Sequence, residues 1–549
     1  MSSGCKTKLQ KSYYHSASAQ PFLGKTVHEL QDDVARQFPD RDALVFCESG
    51  KRISFKQFLD DTNQLASDLV KLGLKPGERV CLWMGDGYEW MLLNLAATRA
   101  GLIALELAES QSVDHLRYTI NQTKCSAMFV GFSLYNQYDK LKQVSPDIES
   151  DTTTLSRVPS LRYIITFDDD CPLIGCSIVM HEGKLRGRGG LEEYQVIKDL
   201  KSKVSADDPY MITFTSGSTG HPKPVVRTHR GTLENMYALK CHATHDDQSI
   251  TRVLKLGSLV SSCGLYQAML LMWGATLVSP RPTEDFTGAL EAIEKEKCNF
   301  ALLFPQYLSQ AVNQQNIAKF DVSSLKRCNV LNAVNLLCGN AVVLYGTRET
   351  LYISIGDVSY TLEDRIRGKT RVLGHCEVKI TDTDKRIMPV NTTDDIWVRG
   401  PYHFQWYYGD KERTEKVKHS DGWYYTGDLG QMDENGRLVI LGRRDDMIVK
   451  GSHNVFPAEI TNFLGDHPKV KDAQVVPVPD EKYLSEICLC LVLKKGSICT
   501  DSEMIEFLTG KVSPFSMPGY ILFFDKFPGV CLKVNQRAIM KEAITRLGL

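Results

Sequence analysis

The sequence predicts an α/β protein with mostly parallel sheets, and three observations predict it. Strand-like apolar runs alternate with segments of helical period over most of the chain. The composition is that of a globular protein, 43% hydrophobic and 24% charged, which excludes disordered and collagen-like chains. The chain contains no internal repeat and no low-complexity tract, which excludes a solenoid.

The elements follow in order. Ser54 to Gly73 reads as a helix: Ser54 and Gln57 stand at capping-box spacing, and Phe58, Leu65, Leu69 and Leu72 recur near a helical period. Arg79 to Met84 is a strand, and Glu89 to Ala100 a helix closed by Gly101. Ala127 to Val130 and Tyr163 to Phe167 are strands. The polar stretch 136–158 reads as a loop, and Asp168 to Gly190 as turns. Met211 to Phe214, Phe300 to Phe304 and Ala341 to Tyr345 are later strands, with a helix at Gly288 to Lys297. Leu256 to Pro280 carries no charge, yet Ser261, Ser262, Gly264 and Gly274 interrupt it. It reads as loop, short buried helix and strand, and not as a membrane span. From about residue 377 short strands dominate: Val378 to Ile380, Ile396 to Val398 and Arg437 to Ile440. The last hundred or so residues restart an α/β pattern of their own.

The 549 residues correspond to three or four domains at roughly 150 residues each. Lys plus Arg number 65 and Asp plus Glu 66, so the formal charge is −1 and the bulk positive field of many nucleic-acid binders is missing. The sixteen cysteines include no C-x-x-C pair, which argues against a zinc ribbon and fits a reducing compartment. Cys488 and Cys490 fall in a buried-strand run, Ile487 to Leu493, and read as core packing. The N-terminus shows no secretory signal. Its early lysines and serines faintly suggest a mitochondrial transit peptide, and residues 1–20 read equally as a frayed end.

Four segments carry candidate chemistry. Thr215-Ser216-Gly217-Ser218-Thr219-Gly220-His221-Pro222-Lys223 follows a strand. Its glycines permit close backbone approach, and hydroxyls plus one ammonium can wrap phosphate oxygens; the plainer reading is a flexible Gly/Ser turn. The spacing is not that of the G-x-x-x-x-G-K-[ST] loop, since Lys223 follows Gly220 by three positions. Asp428, between Gly427 and Gly430, can accept two sugar hydroxyls or simply sit in a surface turn. The run Arg443-Arg444-Asp445-Asp446 can bind a nucleotide through Arg443 or form a solvated linker. Glu349, after Tyr345-Gly346-Thr347-Arg348, can hold a hard cation that bridges phosphates.

Taken in order and spacing, these segments resemble the acyl-adenylate-forming superfamily of acyl-CoA synthetases, luciferases and peptide-synthetase adenylation domains. Cys531-Leu532-Lys533-Val534-Asn535 is similar to the C-terminal motif that carries the family's catalytic lysine. The resemblance runs from about Pro21 to the end. Within the superfamily, Pro21 to Val27, Asn454 to Ile460 and Lys511 to Ile521 resemble the mitochondrial medium-chain acyl-CoA synthetases.

The resemblance implies a large multi-sheet N-terminal adenylation domain over 21–444 and a small mobile α+β cap over 445–549. It implies an ATP-dependent fatty acid:CoA ligase, acting through acyl-AMP, with ATP, Mg²⁺ and coenzyme A as cofactors or co-substrates. Its partners are small molecules, with no nucleic acid and no transmembrane segment. Thr215 to Lys223 would hold the ATP phosphates. Asp428, Arg443, Tyr345 and Gly346 would bind AMP and its ribose, and Glu349 would hold Mg²⁺. Lys533 would be catalytic, Asp445 the hinge, and Gly451 close to coenzyme A. The family implies mitochondria, with the cytoplasm as alternative.

The sequence also departs from that pattern. Arg348 replaces a hydroxyl residue, Pro224 and Leu532 replace glycines, and Val260-Ser261 replaces an aromatic-His pair before the acyl tunnel. Between Leu331–Asn335 and Tyr345 the chain is short by roughly three helical turns, about 16 Å of helix. These departures leave a second class open, a catalytically impaired nucleotide- or acyl-binding relative. An amino-acid adenylation module is a weaker third reading.

Overall fold

The computed structural model describes residues 8–549 except 110, 132–135, 151, 216–221, 244–249, 257–258, 261–263, 283–285, 303–316, 329–342, 358, 362–363, 366, 451–452, 465–466, 481 and 531–532. Short apolar runs buried on both faces build two largely parallel sheets. The first has seven strands in the order Lys223–Thr228, Pro209–Thr215, Ile103–Glu106, Arg79–Met84, Ala127–Gly131, Tyr163–Thr166 and Val179–His181. Only its first pair is antiparallel. The second has six strands: Arg327–Cys328, Phe300–Leu302, Arg252–Lys255, Thr276–Ser279, Asp42–Phe46 and Arg52–Ser54. It is parallel except for its last pair.

The third large sheet corrects the expectation of mostly parallel pairing. Its eight strands run Tyr13–Ser16, Cys376–Thr381, Asp394–Arg399, Tyr424–Met432, Arg437–Arg443, Thr370–Val372, Leu351–Ile355 and Leu344–Thr347, all paired antiparallel. Antiparallel neighbours can be joined by tight turns, as Tyr424–Met432 is to Arg437–Arg443 and Leu344–Thr347 to Leu351–Ile355. Residues 13–16 belong to this sheet, so part of the segment read as a frayed end is an edge strand. Tyr13 fixes it by donating its hydroxyl to Glu377 Oε2 at 2.6 Å.

Local signals set the helix ends. Helix Phe55–Lys71 starts where Ser54 Oγ accepts the Gln57 N–H at 3.1 Å, and it buries Phe58, Leu65 and Leu69. Burying each of these side chains stabilises by about 1.5–3 kcal/mol. Two loop expectations are corrected. Residues 136–158 contain the helix Gln137–Val144, and Asp168 to Gly190 contains the strand Val179–His181. The helix is polar in sequence, but the fold supplies its partners: Leu141 and Val144 enter the core, and Gln137 bonds the Gly131 N–H and the Trp83 carbonyl.

After residue 447 a smaller sheet forms from Val470–Asp480, Leu484–Leu493 and Tyr520–Phe524. Alternate side chains feed two cores, one with Ile487, Leu489 and Leu491, the other with Cys488, Cys490, Ile539 and Ala543. Cys488 and Cys490 are therefore core residues, as expected. The uncharged stretch near 256–280 forms the helix Leu265–Trp273 and the strand Thr276–Ser279. Among the described residues no helix is long and apolar enough to cross a membrane.

Candidate active site

Antiparallel pairing of Tyr424–Met432 with Arg437–Arg443 sets Asp428 directly opposite Arg443. Arg443 Nε lies 3.0 Å from Asp428 Oδ1, and its Nη1 donates to the Thr426 carbonyl at 2.8 Å. From the far edge of the same sheet, the Tyr345 hydroxyl donates to Asp428 Oδ2 at 2.6 Å. The Asp428 side chain is only 8% exposed, whereas that of Arg443 is 52% exposed, so the pair opens outward through its guanidinium. Burial pushes the Asp428 carboxyl up, and the Arg443 charge opposes this. Burial, then the Asp428 charge, pushes the Tyr345 phenol well above its ordinary range, which keeps it a donor.

Two glycines are required by this geometry. Gly427 has φ +75°, and a Cβ there would come 3.3 Å from Arg443 Nη1. A Cβ on Gly346 would fall 1.8 Å from the Leu351 carbonyl oxygen.

The candidate phosphate loop is a hairpin connection. Thr215 and Lys223, at its two ends, face each other in register. Ser216, Gly217, Ser218, Thr219, Gly220 and His221 lie outside the described residues. Pro222 is buried, and the buried Thr215 Oγ1 has no hydrogen-bond partner among the described residues. Pro224 is tolerated because its strand is at the sheet edge, where its carbonyl accepts from the Tyr408 N–H at 2.8 Å.

Tyr407 joins the loop to Glu349. The Lys223 ammonium stands 5.5 Å from the Tyr407 ring centroid, and the Tyr407 hydroxyl donates to Glu349 Oε1 at 2.8 Å. Behind them Arg227, 1% exposed, donates to the carbonyls of Arg348, Glu349 and Tyr402 at 3.2–3.3 Å. These bonds tie the Glu349 segment to the strand that leaves the loop.

Sequence reasoning missed Tyr407 and Arg227. A charged residue inside the apolar run Pro224-Val225-Val226-Arg227-Thr228 was the available signal for Arg227. Tyr407 carried none, because aromatic residues at such positions are ordinary core.

Arg348 reaches the Val260 segment. Its Nη1 donates to the Val260 carbonyl at 3.2 Å. The shortened segment before Tyr345 lies largely outside the described residues. Asp445 is exposed in the short 3₁₀ turn Arg444–Asp446, while Arg444 is ion-paired with Asp394 and Asp395. Lys533 lies in the strand Lys533–Val534, paired with Gly529–Val530. Asn535 then caps the helix Gln536–Leu547. The Lys533 side chain and Gly451 fall outside the described residues.

The sequence profile of AMP-binding enzymes matches residues 31–408, more than half of the chain. The chain belongs to that family. A second profile, the AMP-binding enzyme C-terminal domain, matches residues 459–529. This AMP-binding enzyme is 31% identical to the medium-chain acyl-CoA ligase ACSF2, mitochondrial, of Danio rerio, over 98% of this chain and 92% of that relative. The protein of the same name from Homo sapiens is 30% identical over 97% of this chain and 90% of its own length. Among solved structures, the anthranilate CoA ligase AuaEII in complex with anthranoyl-AMP superposes with a TM-score of 0.77 at 18% identity. That superposition covers 96% of this chain and 99% of the other, and it shows that the two share a fold.

Proposed function

We propose that this AMP-binding enzyme is an AMP-forming acyl-CoA ligase whose acyl substrate is a fatty acid, of medium chain length. The observation that carries the reading is the Asp428–Arg443–Tyr345 constellation, with Glu349 near enough for its charge to act on Asp428 and Tyr407 joining Glu349 to Lys223. The names of the relatives support the substrate class.

In the first step a carboxylate oxygen attacks the ATP α-phosphorus, the bond to the β-phosphate bridge breaks, and pyrophosphate leaves. In the second the coenzyme A thiolate attacks the acyl carbon and AMP leaves. Thr215 to Lys223 hold the β- and γ-phosphates. Asp428 accepts the ribose hydroxyls, and Arg443 and Tyr345 keep it ionised and oriented. Glu349 would hold Mg²⁺, and the ion would screen the phosphate charge. Lys533 bridges carboxylate and α-phosphate in the first step. Residues 445–549 act as the mobile cap, turning at Asp445, with Arg444 anchored to the large body by Asp394 and Asp395. The turn brings Gly451 toward the pantetheine arm. A mitochondrial location rests on the relatives' names.

AMP release over straight-chain acids of two to eighteen carbons tests the reading. Octanoate-dependent AMP and acyl-CoA are expected, and no release with any acid refutes it. Within that assay, Asp428→Asn is expected to raise KM for ATP ten- to hundredfold, on the order of the 1.5–3 kcal/mol of a charged hydrogen bond. An unchanged KM would remove Asp428 from the ribose site.

A further inference from the structure

Glu106 ends the strand Ile103–Glu106, is 2% exposed, and lies in register with Leu82 and Thr213. It therefore sits at the C-terminal edge of the parallel strands, where α/β sheets present their ligand sites. A polar relay holds it there. Gln267 Nε2 donates to Asn94 Oδ1 at 3.0 Å, and Asn94 Nδ2 donates to Glu106 Oε1 at 3.0 Å. The other carboxyl oxygen, Glu106 Oε2, is buried without a hydrogen-bond partner among the described residues.

Two more buried oxygens nearby, Tyr210 Oη and Thr232 Oγ1, lie against each other, and neither has another hydrogen-bond partner among the described residues. Burial pushes the Tyr210 phenol up and nearby Glu106 adds to the shift. Both hydroxyl residues flank Gly264, where a Cβ would lie 4.0 Å from Tyr210 Oη and 3.6 Å from Thr232 Cγ2. Gly264 follows the Val260 segment, from which the acyl tunnel is expected, and Arg348 binds that segment through the Val260 carbonyl.

An unmet buried polar atom costs about 1–3 kcal/mol. Glu106 Oε2 and the one hydroxyl hydrogen left over by the Tyr210–Thr232 pair are two such groups side by side. A plain alkyl chain in contact with them would leave both unmet. A chain bearing oxygen would meet them, because the hydroxyls donate or accept. Burial, opposed by Arg348, also pushes Glu106 up to about 8, so its carboxyl carries a proton at neutral pH and can donate.

We propose that Glu106, Tyr210 and Thr232 form a polar wall of the acyl site, selecting carboxylic acids whose chain carries an uncharged oxygen function, a hydroxyl or a carbonyl. This deepens the acyl-CoA ligase reading and rests on it. Hydrogen-bonding sites discriminate far more strongly than apolar pockets.

The test compares octanoate with its hydroxy and oxo derivatives, substituted at each carbon, by kcat/KM for AMP release. In parallel, calorimetry measures binding of the matching acyl-sulfamoyl adenosines. At least one derivative is expected to exceed octanoate by about tenfold or more in both assays. Glu106→Leu is expected to lower the derivative-to-octanoate ratio by about the same factor, whereas Glu106→Gln, which keeps a donor and an acceptor, retains most of it. Thr232→Val gives a second, smaller loss of the same ratio if the leucine variant does not fold. The proposal is overturned if octanoate matches or exceeds every derivative, or if the ratio is unmoved in every variant that folds; internal water then satisfies these groups. AMP release from no acid, with the tenfold preference still seen in calorimetry, would uphold the polar wall and reject the ligase reading. Loss of both would reject both.

Discussion

Lys533→Ala is expected to slow acid-dependent ATP–pyrophosphate exchange by on the order of 10²–10³-fold, the usual effect of deleting one positioned transition-state donor. In adenylation two anions approach each other: the substrate carboxylate and the ATP α-phosphate. Asp428 and Glu349 add further buried carboxyl groups close by, each below 10% exposed. A single ammonium between the reacting oxygens offsets that repulsion where charge develops, and water cannot replace it in a closed site. The second half-reaction has no such demand, because acyl-AMP carries an activated, uncharged carbonyl. Thioester formation from supplied acyl-AMP and coenzyme A should therefore change little. The two rates are read on the same variant, so a folding defect would show in both. Equal slowing of both would contradict a cap that presents Lys533 in one state and withdraws it in the other. Lys533 lies on a two-stranded hairpin next to the Asn535-capped last helix.

The second large effect is acid destabilisation. Three histidines are buried and held neutral. Burial, then Arg99, lowers His28 to about 4; burial, then His28, lowers His229 to about 3; burial, then Lys418, lowers His403 to about 3. Each folded value lies below the ordinary 6.5, so between the two values the unfolded chain binds more protons than the folded one. Stability is complete above about pH 6.5 and is lost as the pH falls through this window.

Each group contributes about 1.4 kcal/mol per pH unit, and the three together about 4. Glu106 works against them. Its folded value near 8 exceeds the ordinary carboxyl value, so its term falls as pH rises above about 4.5. The net expectation is a loss of about 2–3 kcal/mol per pH unit below about pH 6, read as the shift in urea midpoint. His403→Phe keeps a ring beside Tyr424, whose centroid is 6.2 Å away, and removes one titration. It should flatten the net slope by about half. An unchanged slope would show that His403 does not titrate on unfolding.

Much of the fold was legible in the sequence because its signals are local. Ser54 with Gln57, the run Arg79 to Met84, and the turn after Ala100 each define an element from a few neighbouring residues. What local signals could not give was pairing. The eight-stranded sheet is antiparallel and begins with Tyr13–Ser16, some 360 residues from its partner Cys376–Thr381, and no local pattern encodes such a contact. Helix Gln137–Val144 was invisible for the same reason: its polar residues are helical only because Leu141 and Val144 have a core to enter and Gln137 has two backbone groups to satisfy.

The candidate site divides along the same line. By itself the sequence determined the residue types and their order: a hydroxyl- and glycine-rich loop ending in Lys223, then Glu349, Asp428, Arg443 and Lys533. Only the tertiary structure decided which of them act together. Strand register set Asp428 against Arg443, and a strand at the sheet edge brought the Tyr345 hydroxyl to the same carboxylate. Tyr407 linked Lys223 to Glu349, and Arg227 fixed the backbone behind them. Charge chemistry is written in side chains, which a sequence lists. Burial and register, which decide whether a carboxylate is a solvated surface group or half of a buried pair, exist only once distant strands have met.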